Sequence, residues 1–174
     1  MKDIKDYIRT IPNFPKEGIL FRDITTVIQN PEGFKLAIDM MQESLADVDF
    51  DMLLGAESRG FLFAAPIAYN LGKAMTLARK KGKLPAETVS VDYDLEYGVA
   101  TLEIHKDAIK PGQKVVLVDD LLATGGTLKA MAKLVEKLGG EVAGIAVLLE
   151  LVDLKGREVL KDYNVYSCAQ FEGE

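Results

Sequence analysis

Tryptophan is absent, histidine and cysteine occur once each, and acidic residues outnumber basic ones, 27 to 21, in the 174-residue chain. Each shortage excludes something. A lone Cys168 cannot close an intramolecular disulfide, and His105, as the only imidazole, has no Cys or His partners for a zinc site and reads as a surface residue. A reducing, cytoplasmic setting is the expectation. No apolar run reaches the ~18 residues of a membrane span. The opening residues Met1-Lys2-Asp3-Ile4-Lys5-Asp6 have no signal-peptide core, so no membrane partner is expected. A formal net charge of −6 argues against a broad nucleic-acid footprint.

What remains is an ordinary globular composition, 48% apolar and 28% charged, in a chain read as one domain, 1–174, large enough to bury about 70% of its unfolded surface. Buried apolar runs alternate with helical patterns, and the natural fold is an α/β, mostly parallel doubly wound sheet. Its organising stretch is 114–127. Val115, Val116, Leu117 and Val118 read as a strand covered on both faces, followed by Asp119 and Asp120, then Ala123, Thr124, Gly125, Gly126 and Thr127. Beyond these, Leu128, Met131, Val135 and Leu138 recur at helical spacing up to Gly139-Gly140.

The glycines let the backbone approach a ligand, and the first N–H groups of the following helix have no internal partners. A helix dipole contributes only about 0.3–1 kcal/mol, whereas micromolar affinity needs roughly 8 kcal/mol. Direct amide and Thr hydroxyl bonds must therefore carry the phosphate. Two carboxylates a few residues away suit vicinal hydroxyls, and together the two grips describe a ribose 5-phosphate. An ordinary capped turn is the plain alternative.

The spacing of Ile4, Tyr7 and Ile8 predicts a short amphipathic helix over 1–10, with an ordered loop over 11–23 broken by Pro12, Pro15 and Gly18. A second helix is expected from Pro31 to about 46, carrying Phe34, Ile38, Met41 and Leu45 on one stripe. A buried strand over 51–56 leads through Glu57-Ser58-Arg59-Gly60 into a helix over 61–71, apolar nearly all round and expected to be buried, with Pro66 bending it or in its first turns. Arg59 thus stands at a strand's C-terminal end, where open α/β sheets bind ligands; a surface salt bridge is the other reading. A strand over 74–78 delivers Arg79, Lys80, Lys81 and Lys83 to the same edge. Residues 80–100, with Gly82, Pro85 and Gly98, read as a long loop of the lid type; strands follow over 100–104 and 142–149, then a loop with a short helix over 151–160 and a last strand over 163–169.

These residues carry a resemblance. The stretch 115–127 is similar to the phosphoribosyl pyrophosphate signature of the type I phosphoribosyltransferase family. Phe14-Pro15-Lys16-Glu17-Gly18-Ile19-Leu20-Phe21-Arg22-Asp23-Ile24, Glu57-Ser58-Arg59-Gly60-Phe61-Leu62-Phe63, Arg79-Lys80-Lys81-Gly82-Lys83-Leu84-Pro85 and Leu95-Glu96-Tyr97-Gly98 resemble its adenine-using branch over nearly the whole chain. The resemblance implies transfer of phosphoribosyl from phosphoribosyl pyrophosphate to adenine, a magnesium cofactor acting through substrate and water near Asp119 and Asp120, and a homodimer. It makes residues 1–30 mainly a base-recognition hood, with Phe21 stacking on the purine, Leu20 and Arg22 bonding its edge and Leu121 beside it. It implies that Ser58, Arg59, Arg79 and Lys83 grip pyrophosphate and that Ala123, Thr124, Gly125, Gly126 and Thr127 hold the 5′-phosphate. It also implies a cis peptide between Glu57 and Ser58. Within a flexible loop at about 80–100, Glu96 is the proton carrier; residue chemistry alone does not choose Glu96 over Asp94. Two rivals stand beside this reading: the same reaction on another base, and a regulator that binds the donor without chemistry.

Overall fold

The computed structural model describes residues 2–95 and 98–173. A single 3-10 turn at Ile4–Tyr7, capped by the Asp3 side chain, leads into β1 (Arg9–Pro12) and β2 (Leu20–Asp23), which pair antiparallel as a separate two-stranded unit. After α1 (Thr25–Ile28) and α2 (Pro31–Ser44) comes β3 (Met52–Ala56), then α3 (Phe61–Leu71), β4 (Ala74–Lys80), β5 (Thr88–Leu95) and β6 (Gly98–His105). The chain continues as β7 (Lys114–Leu122), α4 (Gly126–Lys137), β8 (Glu141–Leu151), the short α5 (Gly156–Val159) and β9 (Val165–Phe171). The main sheet runs β5-β6-β4-β3-β7-β8-β9. Its β4-β3-β7-β8-β9 portion is parallel, and β6 and β5 add antiparallel at one edge.

Side-chain alternation explains why this sheet is covered on both sides. Leu53, Val116 and Val118 point to one face, where they meet Ile38 and Met41 of α2 and Phe63 and Ile67 of α3. Leu54, Val115 and Leu117 point to the other, against Met131, Leu134 and Val135 of α4. Burying a large aliphatic side chain contributes about 1.5–3 kcal/mol, so these two layers hold the fold. The strand order reverses between β3 and β7: the β3–α3–β4 crossover leaves one way and β7–α4–β8 the other. Such a switch point opens a crevice at the strands' carboxyl ends.

Several expectations are corrected. The helix expected over 1–10 is one 3-10 turn followed by the start of β1, and the loop expected over 11–23 holds the end of β1 and all of β2; four residues are too few to sustain an α-helix against strand pairing. The long loop over 80–100 is largely the antiparallel pair β5–β6. Val89, Val91, Tyr93 and Leu95 alternate with Thr88, Ser90, Asp92 and Asp94, a period of two, while Gly82 adopts positive φ in the preceding turn and Gly98 at the start of β6. Helix α3 is not enclosed: Phe63, Ala64, Ile67 and Ala68 are buried, but Leu62, Leu71 and Tyr69 (88% exposed) face outward. Pro66 lies in the middle of that helix. His105 is partly buried, and its Nε2 accepts a bond from the Ala86 amide at 3.3 Å.

Candidate active site

The crevice at the switch point is a cleft of about 390 Å³. One wall comes from the turn after β3, the other from the end of β7 and the start of α4. Gly60 makes the first wall possible, because a Cβ there would lie 2.7 Å from the Ala56 carbonyl and 2.9 Å from that of Val118. The turn is thereby drawn onto both strands, and it presents Glu57, Ser58 and Arg59 to the cleft. The peptide between Glu57 and Ser58 is cis, as the resemblance implies.

Strand β7 runs further than its apolar core suggests and carries the carboxylate pair within it. Asp120 is 5% exposed and accepts a bond from Arg59 Nε at 2.6 Å. The Asp120 charge is the main cause that raises the Arg59 guanidinium further above its ordinary pKa, with Asp23 at the end of β2 adding a smaller pull. Asp119 accepts its neighbour's amide at 2.8 Å. Burial, and then the charge of Asp120, push the Asp119 carboxyl well above the usual carboxylate range. Two adjacent acids in a low-dielectric crevice cannot both ionise freely; the site is short of positive charge.

The loop after β7 turns at Gly125, whose φ is +92°, a conformation open to glycine at little cost. Helix α4 then begins without any side-chain cap; its first turn is closed by the Lys129 amide donating to the Gly125 carbonyl, at 2.9 Å. The amides of Gly126, Thr127 and Leu128 are therefore free of intrahelical partners, and Ala123, Thr124, Gly125, Gly126, Thr127 and Leu128 all line the cleft. Strand β5 lies along α4. Lys137 Nζ donates to the Ser90 carbonyl at 3.0 Å, and Tyr93 packs beside Gly126, 3.7 Å from where a Cβ would stand.

The cleft thus brings together Ser58, Arg59, Asp119, Asp120, Leu121 and the loop 123–127. Other expected residues stand elsewhere. Arg79 Nη2 donates to Glu57 at 3.1 Å, and the Lys80 amide, first, with Arg79 helping, holds the Glu57 carboxyl below its usual range. Lys83 is exposed. Neither lines the cleft, whereas Lys80 does; successive residues of β4 face opposite ways, which separates Arg79 from Lys80, and Lys83 lies beyond the end of that strand. Leu20, Phe21 and Arg22 sit on β2, outside the lining. Phe21 meets Phe14 edge-on with ring centres 5.1 Å apart, and the Arg22 guanidinium lies over Phe171 at 4.5 Å. Glu96 lies outside the described residues. Residue chemistry missed Tyr93, Leu102 and Glu57 as cleft residues; the period-two pattern of 88–95 was the available signal for the first.

An anion-receiving helix start beside a carboxylate pair, at the switch point of a doubly wound sheet, is the arrangement of a phosphoribosyltransferase. The phosphoribosyl transferase domain matches residues 23–173. The chain is 58% identical over its full length to the full-length adenine phosphoribosyltransferase of Lachnoclostridium phytofermentans. It is 61% identical, over 98% of its length and 97% of the relative's, to that of Caldicellulosiruptor bescii. The crystal structure of the enzyme from Thermoanaerobacter pseudethanolicus superposes with a TM-score of 0.94 at 54% identity, covering 97% of this chain and 98% of that one. The Saccharomyces cerevisiae enzyme, complexed with an imino-altritol bisphosphate and adenine, gives 0.89 at 40% identity over 95% and 96%. The chain belongs to the adenine phosphoribosyltransferase family.

Proposed function

We propose that this cleft joins adenine to phosphoribosyl pyrophosphate, giving AMP and pyrophosphate. The observation that carries the reading is the uncapped start of α4 beside Asp119 and Asp120 in one crevice. Ala123, Thr124, Gly125, Gly126 and Thr127 hold the 5′-phosphate, and Asp119 and Asp120 take the ribose hydroxyls directly or through metal-bound water. Ser58 and Arg59 hold the departing pyrophosphate, with Lys80 at hand in the lining and Arg79 and Lys83 as the family's further candidates. The base lies against Leu121, under a hood supplying Leu20, Phe21 and Arg22; stacking on Phe21 would contribute about 1–3 kcal/mol. Glu96 exchanges a proton with the purine as the new bond forms. Choice of adenine rests on the similarity to the enzymes named above.

Among the described residues no group of three His, Cys, Asp or Glu side chains could cage a metal. Magnesium does not need one, being commonly held by one or two carboxylates together with substrate phosphates and water, and Asp119 and Asp120 supply suitable hard oxygens. When bound it neutralises pyrophosphate charge. The exposed Leu62, Tyr69 and Leu71 of α3 support a homodimer. No described helix is long and apolar enough to cross a membrane; a cytoplasmic setting stays part of the proposal, resting on the single Cys168 in the sequence.

The test is direct. Incubated with the donor, magnesium and adenine, hypoxanthine, guanine, xanthine or orotate in turn, the protein is expected to form nucleotide with adenine alone. Comparable formation with another base overturns the specificity, and donor binding without any nucleotide returns the regulator reading. Thr127→Val is expected to raise KM for the donor about tenfold, the worth of one hydrogen bond to a charged group. Adenine's KM should hardly move; an unchanged donor KM would count against the phosphate-loop assignment.

A further inference from the structure

We infer that the turn at Lys155, Gly156 and Arg157 is a positioning element that holds the phosphate loop in its anion-receiving shape, an inference that rests on the donor-site reading above. The turn and the loop meet backbone to backbone. A Cβ at Gly156 would stand 2.5 Å from the Ala123 carbonyl oxygen and 2.6 Å from Leu122 Cδ1. In return, a Cβ at Gly125 would stand 3.0 Å from the Gly156 carbonyl and 3.2 Å from Val159 Cβ. Lys155, with φ of 56°, turns the chain back so that this close face is presented.

The turn is itself clamped from the side away from the cleft. Glu150, 4% exposed, stands in register with Leu122, the last residue of β7. Arg157 Nε donates to both its oxygens at 2.9 Å, and Arg157 Nη1 donates to the Val165 carbonyl at 3.0 Å. Ser167 Oγ donates to Glu150 at 2.8 Å. A buried charge is retained against its desolvation cost only when so satisfied. None of the clamp's side chains lines the cleft. A loop with two glycines has many accessible shapes. Unless something fixes it, the donor must supply the ordering entropy on binding. The Glu150–Arg157 clamp fixes the turn, and Gly156 transmits that rigidity to Ala123 and Gly125.

The experiment uses the full chain. Gly156→Ala displaces the Ala123 carbonyl, and the paired change Glu150→Leu with Arg157→Met removes the clamp without leaving a lone buried charge, a replacement often neutral for stability. Each variant is checked for folding by thermal melt, for KM of donor and of adenine, for kcat, and for ribose 5-phosphate binding by calorimetry. The expected result is a donor KM and a ribose 5-phosphate Kd raised about tenfold or more, with kcat and adenine KM within about twofold. If Gly156→Ala does not fold, the paired variant decides. Folded variants with unchanged donor KM and ribose 5-phosphate Kd overturn the inference, as do equal losses for donor and adenine, which mark general loosening. Wild-type protein that fails to bind ribose 5-phosphate sinks the donor-site reading itself, before any variant is compared.

Discussion

Arg59→Gln is expected to lower kcat/KM for the donor by about a hundredfold, within the 2–5 kcal/mol that truncating one partner of a buried charged pair costs. Two effects add. On the proposed assignment the departing pyrophosphate loses a cation, and Asp120, almost wholly buried, loses the donor bonded to it at 2.6 Å. The second effect also destabilises the fold. Because the Arg59 side chain is about half exposed (49%), solvent screens the pair, and about 1–3 kcal/mol is expected in place of the larger figure for a fully buried bridge. Adding Asp120→Asn separates them: the double variant should regain most of the melting temperature, since no unpaired charge remains, and recover none of the donor affinity. A single variant that melts earlier while binding the donor normally would make Arg59 a structural partner of Asp120 and nothing more.

The legible parts of the chain were those whose signal is local. Val115, Val116, Leu117 and Val118 announce a strand covered on both faces, and all four are fully buried. Helix α2 begins where Pro31 follows Asn30, whose side chain accepts from the Glu32 and Gly33 amides. Helix α3 matches its expected span, yet its exposed side was misread, because an apolar surface looks the same in sequence whether protein or a partner covers it. The segment 88–95 was misread for the opposite reason: its polar and apolar residues alternate, but charged residues and flanking glycines masked a strand that only gains its partner from β6. Within the site, glycine-rich turns and their neighbouring acids could be read off. Which basic residue faces the cleft could not. Arg79 and Lys80 are adjacent on β4, and the choice between them depends on where Glu57, twenty-two positions earlier, sets its carboxylate. Nor could a sequence show that Arg59 would meet Asp120 across sixty-one positions.

The proton carrier is where sequence chemistry left two acids open, and there the second large effect is expected. Glu96→Gln should lower kcat by about 10²–10⁴, the range general acid–base help supplies, with KM for adenine little changed because the side chain keeps its size and can still accept a hydrogen bond. Asp94→Asn should leave kcat within about twofold, a surface substitution by comparison. Asp94 is exposed on β5, and it is Tyr93, not Asp94, whose side chain lines the cleft. Successive residues of a strand face opposite ways, so Asp94 points away from the loop that Tyr93 covers. Steady-state kinetics over pH makes the comparison decisive. A carboxylate that must be ionised to take a proton gives an acidic limb in kcat, and that limb should vanish in Glu96→Gln and persist in Asp94→Asn. Loss of the limb with Asp94 instead would move the proton role two residues upstream; a limb that survives both substitutions would remove it from both acids.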